Sequence, residues 1–331
     1  MMQKQLKRTL GKSEIEVSAL GLGCWAIGGP FLLDGKQDGW GDVNDTVSEQ
    51  AIHAALEHGV NFFDTSDAYG TGHSEKILGK ALKGQREKVV IASKFGFTYN
   101  EETRELTGQD TSAHYIRKAC ELSLSRLQTD YIDLYQLHLW SLPEQEIDSV
   151  IETLEKLQKD GYIRDYGWST GDTECARYFA EHSNGTSILH PVNVFGYNKE
   201  MIEICEKHNL ASINSNPLAM GLLSGKFNSE SKLSSDDVRG SGHDWVTYFK
   251  NGKPDELLLE KLDAIREILR SDGRTLVQGA LAWIWAKSEQ NIPIPGFKTP
   301  EQVIENAKAM TFGPLSQNQI EEIDELFKAP L

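Results

Sequence analysis

The sequence predicts an α/β chain folded as one (β/α)8 TIM barrel over residues 1–331, with an N-terminal hairpin and extra helices. Three observations lead there. Eight short apolar runs, rich in β-branched or aromatic residues or closed by turn formers, each precede a longer amphipathic stretch, which is the rhythm of strands alternating with helices. No Pro-, Gly- or charge-rich linker cuts the chain in half, so one barrel fits better than two doubly wound units. A chain of 331 residues can also bury about three quarters of its unfolded surface in a sizeable core.

In order, the strand candidates are VSALGLG (17–23), VNFFD (60–64), KVVIASK (88–94), YIDLYQLH (131–138), YIRDYGWS (162–169), SILHPVNV (187–194), LASINS (210–215) and NIPIPG (291–296). Helices are expected at 45–58, 74–83, 112–127, 144–159, 172–182, 199–208, 275–287 and 300–309, one after each strand. QLKRTLGKSEIEV (5–17) reads as the hairpin, and 254–271 and 316–327 as the added helices. Two stretches, GGPFLLDGKQDGWGDV (28–43) and KFNSESKLSSDDVRGSGHDWV (226–246), are long irregular loops of the kind that serves function or moves.

Composition narrows the partners. With 34 Lys and Arg against 49 Asp and Glu, the formal charge of −15 disfavours nucleic acid and anionic membrane surfaces. An anionic ligand would need a local basic pocket. Cys24, Cys120, Cys175 and Cys205 stand far apart without a C-x-x-C pair, so we expect neither a disulfide nor a metal site. The N-terminus lacks a signal-peptide apolar core and no stretch approaches a membrane span, which points to a cytoplasmic protein.

Two motifs fail on their context. GLGCWA (21–26) matches the dinucleotide fingerprint, yet the glycines and Pro30 of the next residues cannot open the helix that would hold a pyrophosphate. MGLLSGKF (220–227) is not a P-loop, because Met220 stands at its first glycine and Phe227 replaces the magnesium-binding hydroxyl.

In a (β/α)8 barrel the strand C-termini converge on one rim. The polar residues closing the runs include Asp64, Lys94, His138 and Ser169, and DTSDAYG (64–70) carries Tyr69 just above. Taken singly, each has a structural reading: turn chemistry for the DTSDAYG loop, a snorkelling cation, a core histidine and a rim aromatic. Together they suggest more, because burying Lys94 without Asp64 would be costly. The chemistry is proton donation by a phenol whose ordinary pKa of about 10 a neighbouring ammonium should lower, with His138 hydrogen-bonding a substrate carbonyl. Nothing in this set supplies a hydride, so a cofactor must. Its expected seat is GFKTPEQVIEN (296–306), where Thr299, Pro300 and Gln302 make a capping box whose free amides and dipole form an anion site beside Lys298.

These residues resemble the aldo-keto reductase family over nearly the whole chain: GVNFFDTSDAYGTGHSE looks like its first signature, IASKFG its lysine motif and TDYIDLYQLHLW its histidine segment. NPLAMGLLSGKF and PIPGFKTPEQVIEN are similar to its cofactor segments. The resemblance implies a catalytic tetrad of Asp64, Tyr69, Lys94 and His138 with Tyr69 as general acid, an extended NADPH, and a small carbonyl substrate. It further implies that Asp64, Ser169 and Thr170 lie near the nicotinamide, with Asn216, Pro217, Leu218, Ala219, Met220, Lys226 and Arg239 along the pyrophosphate. Gly296, Lys298, Gln302, Glu305 and Asn306 would surround the adenosine phosphate, and Cys24 and Trp25 would line the mouth, where Trp40 and Trp140 also belong. Three positions depart from the family: Val194 where Gln is common, Ser215 where an aromatic stacks, and Thr170 for Asn or Arg. Two other readings stand beside this one, a Schiff-base lyase using Lys94 as nucleophile and an NADP-binding module with little turnover.

Overall fold

In the computed structural model, which describes residues 6–328, eight parallel strands ring one axis. They are β1 (Leu22–Gly23), β2 (Phe62–Asp64), β3 (Val90–Phe95), β4 (Ile132–Leu137), β5 (Ile163–Ser169), β6 (Ser187–Asn193), β7 (Ala211–Ser215) and β8 (Asn291–Pro293). They pair in sequence order from β1 to β8. The ring closes where Gly23 bridges Gly296 in parallel, with Gly21 N–H donating to Pro293 O at 3.0 Å and Gly23 N–H to Pro295 O at 3.1 Å. Close approach demands glycine here: a Cβ on Gly21 would lie 2.5 Å from the Phe62 ring, and one on Gly23 2.9 Å from Ile294 O.

The helices are α1 (Asp45–Glu57), α2 (His73–Ala81), α3 (Ala113–Leu127), α4 (Glu144–Lys159), α5 (Thr173–His182), α6 (Lys199–Lys207), α7 (Glu256–Leu269), α8 (Leu276–Lys287), α9 (Pro300–Lys308) and α10 (Gln317–Lys328). Their ends match the sequence expectation to within two residues. Local chemistry explains this, since Asn44, Ser112, Asp172, Asn198, Asp255, Thr275 and Thr299 each cap a helix start with a side-chain oxygen.

Strand periodicity gives three layers. Phe62, Val90, Ala92, Leu134, Leu189, Ala211, Ile213 and Ile292 point inward and pack with Leu10, Ile15 and Val17 of the N-terminal hairpin, which plugs the barrel's lower end. Phe63, Ile91, Tyr135, Tyr166 and Ile188 point outward against the helices. A further apolar cluster joins α7, α8 and α10 to the end of β6.

Three expectations change. VSALGLG is not one strand: Glu16–Ser18 pairs antiparallel with Lys7–Thr9 as the hairpin, and only Leu22–Gly23 enters the barrel. Burial of Val17 as plug and the glycine seam at 21–23 split the run; Gln5, placed at the hairpin's start, lies outside the described residues. The stretch after β3 forms an unexpected hairpin, Phe97–Asn100 with Glu105–Gln109, which pairs with Leu32–Leu33 and, beyond it, Lys36–Gln37. The two long loops also bind each other, through Val238 N–H to Gly39 O at 2.8 Å and a bridge from Trp40 to Asp237. All four cysteines are free and buried. Among the described residues, no helix is long and apolar enough to cross a membrane.

His190 faces outward from β6 at 1% exposure, with Nε2 2.8 Å from Ser212 Oγ, and burial pushes its imidazole down to about 3. An unfolded histidine takes its proton near pH 6.5, so between about 6.5 and 3 the unfolded chain holds more protons and stability falls on acidification. In His190→Gln, the slope of unfolding free energy against pH between about 6 and 4 should be shallower than in the unmodified protein by up to about 1.4 kcal/mol per unit. Urea titrations across that range measure it; parallel slopes would contradict it.

Candidate active site

Strand ends bring the four rim residues together. Asp64 closes β2, Lys94 lies one residue before the end of β3, and His138 follows β4. Lys94, 1% exposed, forms an ion pair with Asp64 Oδ1 and donates to Thr65 O at 2.8 Å and to the Tyr69 hydroxyl at 3.3 Å. Asp64 Oδ2 accepts from Gln136 Nε2 at 2.9 Å, so both carboxylate oxygens are engaged. The sequence reading missed Gln136; its place two residues before His138 puts it on the same inward face of β4, a period-two signal that was available.

Tyr69 is half-buried, its ring perpendicular to His138 at 5.8 Å. Backbone shape places it: Gly70 has φ of 60°, and a Cβ there would fall 1.8 Å from Gly28 O. Beneath the loop, Ser66 Oγ lies 3.2 Å from His138 Nδ1. Trp25 stacks on Tyr69 at 6.1 Å, meets Trp40 and Trp245 at 5.2 and 6.1 Å, and donates from Nε1 to Asp38 O at 2.9 Å. Phe97 packs edge-on to His138 at 5.4 Å. Trp245, Phe97 and Asp38 come from loops and the unexpected hairpin, where periodicity carries no signal.

Burial governs the proton affinities. It opposes the charge of Lys94, but Asp64 and Tyr69 outweigh it and hold the ammonium above its usual range. It raises Tyr69, and Lys94 offsets this only in part, so the expected net lowering of the phenol does not occur. Tyr69 thus keeps its proton at neutral pH. Burial, aided by Lys94, drives His138 well below its ordinary value, which leaves a neutral imidazole. Burial and Asp34 push Asp38 up to about 8.

The expected cofactor residues divide. Ser169 and Ser215 are half-buried at the ends of β5 and β7, while the Thr170 hydroxyl already donates to Trp140 O. Cys24 does not line the mouth; it is fully buried in the outer core, because it stands two residues after Leu22 and shares that residue's outward face. Val194 is likewise buried, in the cluster with Met220 and Leu222. The polar group at that strand end is Asn193, missed in the sequence, whose Nδ2 donates to Asn216 O at 3.1 Å and Tyr248 Oη at 2.7 Å. From Asn216 through Pro217, Leu218, Ala219 and Met220 the backbone turns sharply, with φ of 50°, 47° and 53° at Asn216, Ala219 and Met220, strain that clusters at functional sites. Trp140 lines a separate cavity of about 520 Å3 with His190, Phe195, Tyr248 and Leu258, to which none of the four rim residues contributes.

Basic groups gather at the seam. Arg239 grips Asp237, donates from Nη1 to Met220 O at 3.1 Å and stacks over Trp40 at 4.7 Å. Lys298 Nζ donates to Trp40 O at 2.6 Å and Asp42 O at 3.1 Å, tying the first long loop to the last strand. Burial lowers both Lys226 and Lys298, with Arg239 adding to it and Asp237 opposing it. Thr299 caps Gln302 as expected, but Gln302 Oε1 accepts from Lys298 N–H at 2.7 Å, so the reciprocal capping bond lies one residue early. Gly296 and Gln302 are exposed, Glu305 is half-buried, and Asn306 is buried with Nδ2 lacking a hydrogen-bond partner.

A barrel with this rim defines a class of enzyme, and comparison supplies the family. Residues 19–328 match the model of the aldo/keto reductase family. The chain belongs to that family and is an oxidoreductase. It is 30% identical over 318 residues to the Schizosaccharomyces pombe "aldo-keto reductase yakc [NADP(+)]", covering 93% of this chain and 88% of that one. Its fold is similar to the glycerol dehydrogenase AKR11B4 from Gluconobacter oxydans, at a TM-score of 0.81 and 30% identity over 100% and 98% of the two chains. An aldo-keto reductase from Klebsiella pneumoniae in complex with NADPH gives 0.70 and 26%, over 100% and 97%.

Breaking the buried pair should be costly. Asp64→Asn leaves an ammonium buried without its counter-charge and is expected to lower unfolding free energy by about 3–5 kcal/mol. Adding Lys94→Met should restore more than half of that loss. Urea unfolding of both variants decides it; a single variant as stable as the parent would show that the pair carries no such constraint.

Proposed function

We propose that this protein reduces an aldehyde or ketone to an alcohol with NADPH, Tyr69 acting as general acid and Lys94, Asp64 and His138 assisting, and that the chain works as one barrel unit. The observation that carries this reading is a protonated, half-exposed phenol 3.3 Å from a buried ammonium and set at right angles to a neutral imidazole. The chemistry that a bound NADPH would supply is a hydride for the carbonyl carbon. Tyr69 gives its proton to the carbonyl oxygen, and the phenolate left behind sits beside Lys94, which favours it by charge. His138 orients the oxygen by a hydrogen bond and stabilises its developing charge. Asp64 keeps Lys94 charged and in place.

The residues present fit the cofactor. Lys226, Lys298 and the Asp237-paired Arg239 gather three cations in a chain of charge −15, and buried Asn306, whose Nδ2 lacks a hydrogen-bond partner, would offer the cofactor a donor. The Schiff-base alternative fares worse, because an ion-paired ammonium held above its usual range has no lone pair for attack.

Tyr69→Phe should lower kcat by about 100-fold or more and leave the NADPH dissociation constant nearly unchanged. Steady-state reduction of a panel of aldehydes, ketones and sugars tests it, and an active Tyr69→Phe enzyme overturns the role. Tight NADPH binding without turnover anywhere in the panel would instead identify a binding module. Lys298→Ala should weaken NADPH by about tenfold, the worth of a charge-assisted hydrogen bond to the 2′-phosphate, and leave NADH nearly untouched. Fluorescence titration at low salt measures both; equal losses would assign Lys298 to anchoring the Trp40 loop alone.

A further inference from the structure

We propose that Ser66 is a positioning residue that fixes the tautomer of His138, giving its hydroxyl proton to Nδ1 and so leaving Nε2–H to donate to the substrate oxygen. The inference rests on the carbonyl-reductase reading and deepens it. A neutral imidazole carries one proton, and its position decides whether the free nitrogen donates or accepts. Stabilising a developing oxyanion requires the donor. Only Nδ1 of His138 has a hydrogen-bond partner among the described residues, the Ser66 hydroxyl at 3.2 Å.

The direction of that bond follows from what else surrounds Ser66. The residue is fully buried, and its Oγ already accepts from Ala68 N–H at 3.2 Å. Its single proton has two destinations, His138 Nδ1 at 3.2 Å or Asp67 Oδ1 at 3.4 Å, and the second is at the limit of a hydrogen bond. Asp67 is a poor competitor as well as a distant one. It is buried at 1% exposure and faces Glu75 from α2, Arg126 from α3, Tyr99 from the hairpin after β3, Tyr115 from α3 and Tyr135 from β4. Arg126 favours its ionised form, but that guanidinium is engaged by Glu75 Oε2 at 2.6 Å, and burial together with Glu75 raises the Asp67 carboxyl well above its ordinary range. With Oγ already accepting from Ala68 N–H, the shorter contact assigns the Ser66 proton to the imidazole. Lys94 is the charged group that faces His138, and it disfavours the imidazolium that would erase the distinction between nitrogens. Tyr69 and Phe97, both perpendicular to the ring, hold its plane.

The test reads the proton directly. In the full-length protein with NADP+ bound, 15N-detected correlation of the histidine side chains should show His138 with an unprotonated, pyridine-type Nδ1 and a protonated Nε2. A protonated Nδ1 overturns the proposal without touching the role of Tyr69, which Tyr69→Phe decides separately. Ser66→Ala should mix the two tautomers and lower kcat about fivefold, the factor corresponding to about 1 kcal/mol, while NADPH affinity stays constant. Ser66→Thr, which keeps the hydroxyl, should restore the Nε2–H pattern. A Ser66→Ala protein that keeps that pattern, whatever its stability, overturns the assignment.

Discussion

An ammonium buried to 1% exposure must be surrounded by acceptors, and the upper barrel is arranged around meeting that need for Lys94. The acceptors come from the end of β2 and the loop after it: Asp64, Thr65 O and the Tyr69 hydroxyl. Gln136 on β4 then satisfies the remaining carboxylate oxygen. Three neighbouring strand ends are thereby locked to one another. The same loop is stitched to β3 by Thr65 N–H to Ala92 O at 2.8 Å, so the path that delivers Tyr69 to the rim is set by the charge below it. Preorganisation of this kind places a donor before reaction and removes the cost of moving it.

A second constraint works across the rim. The loops after β1 and β7 are joined by backbone bonds, by Lys36 Nζ to Gly242 O at 2.8 Å and by His243 Nε2 against Gln37 O at 3.0 Å. Arg239 sits at the crossing, stacked on Trp40 and bonded to Met220 O, so it couples the aromatic wall beside Tyr69 to the strained turn at 216–220. The residues proposed to hold the cofactor and those of the aromatic wall therefore share one piece of framework.

Much of this was legible in the sequence, for identifiable reasons. Helix ends are written locally by caps such as Asn44 and Thr275, and strand ends by the residues that close apolar runs, which is why Asp64, Lys94 and His138 group together from the sequence alone. Side-chain direction was not legible. Cys24 and Val194 sit at the expected positions in the chain, yet both turn into apolar clusters, because one residue of register moves a side chain to the other face. The phenol's proton affinity is not legible either: proximity to Lys94 is readable, whereas the larger opposing effect of burial is a property of the assembled site. Loop-borne groups such as Trp245 and Asp38 carry no periodic signal at all.

The seam at Gly23 and Gly296 carries an unequal entropic cost. Those residues lie at opposite ends of the barrel sequence, and β1 contributes only Leu22 and Gly23 to the ring. Few bonds reward the joining, while the loop that must close is nearly the whole chain, so its entropy loss precedes most of the gain. Adjacent strands such as β4 and β5, which pair over most of their length, face a far smaller search. Joining the two ends of the ring therefore closes a far longer loop, for fewer bonds, than pairing any two neighbouring strands.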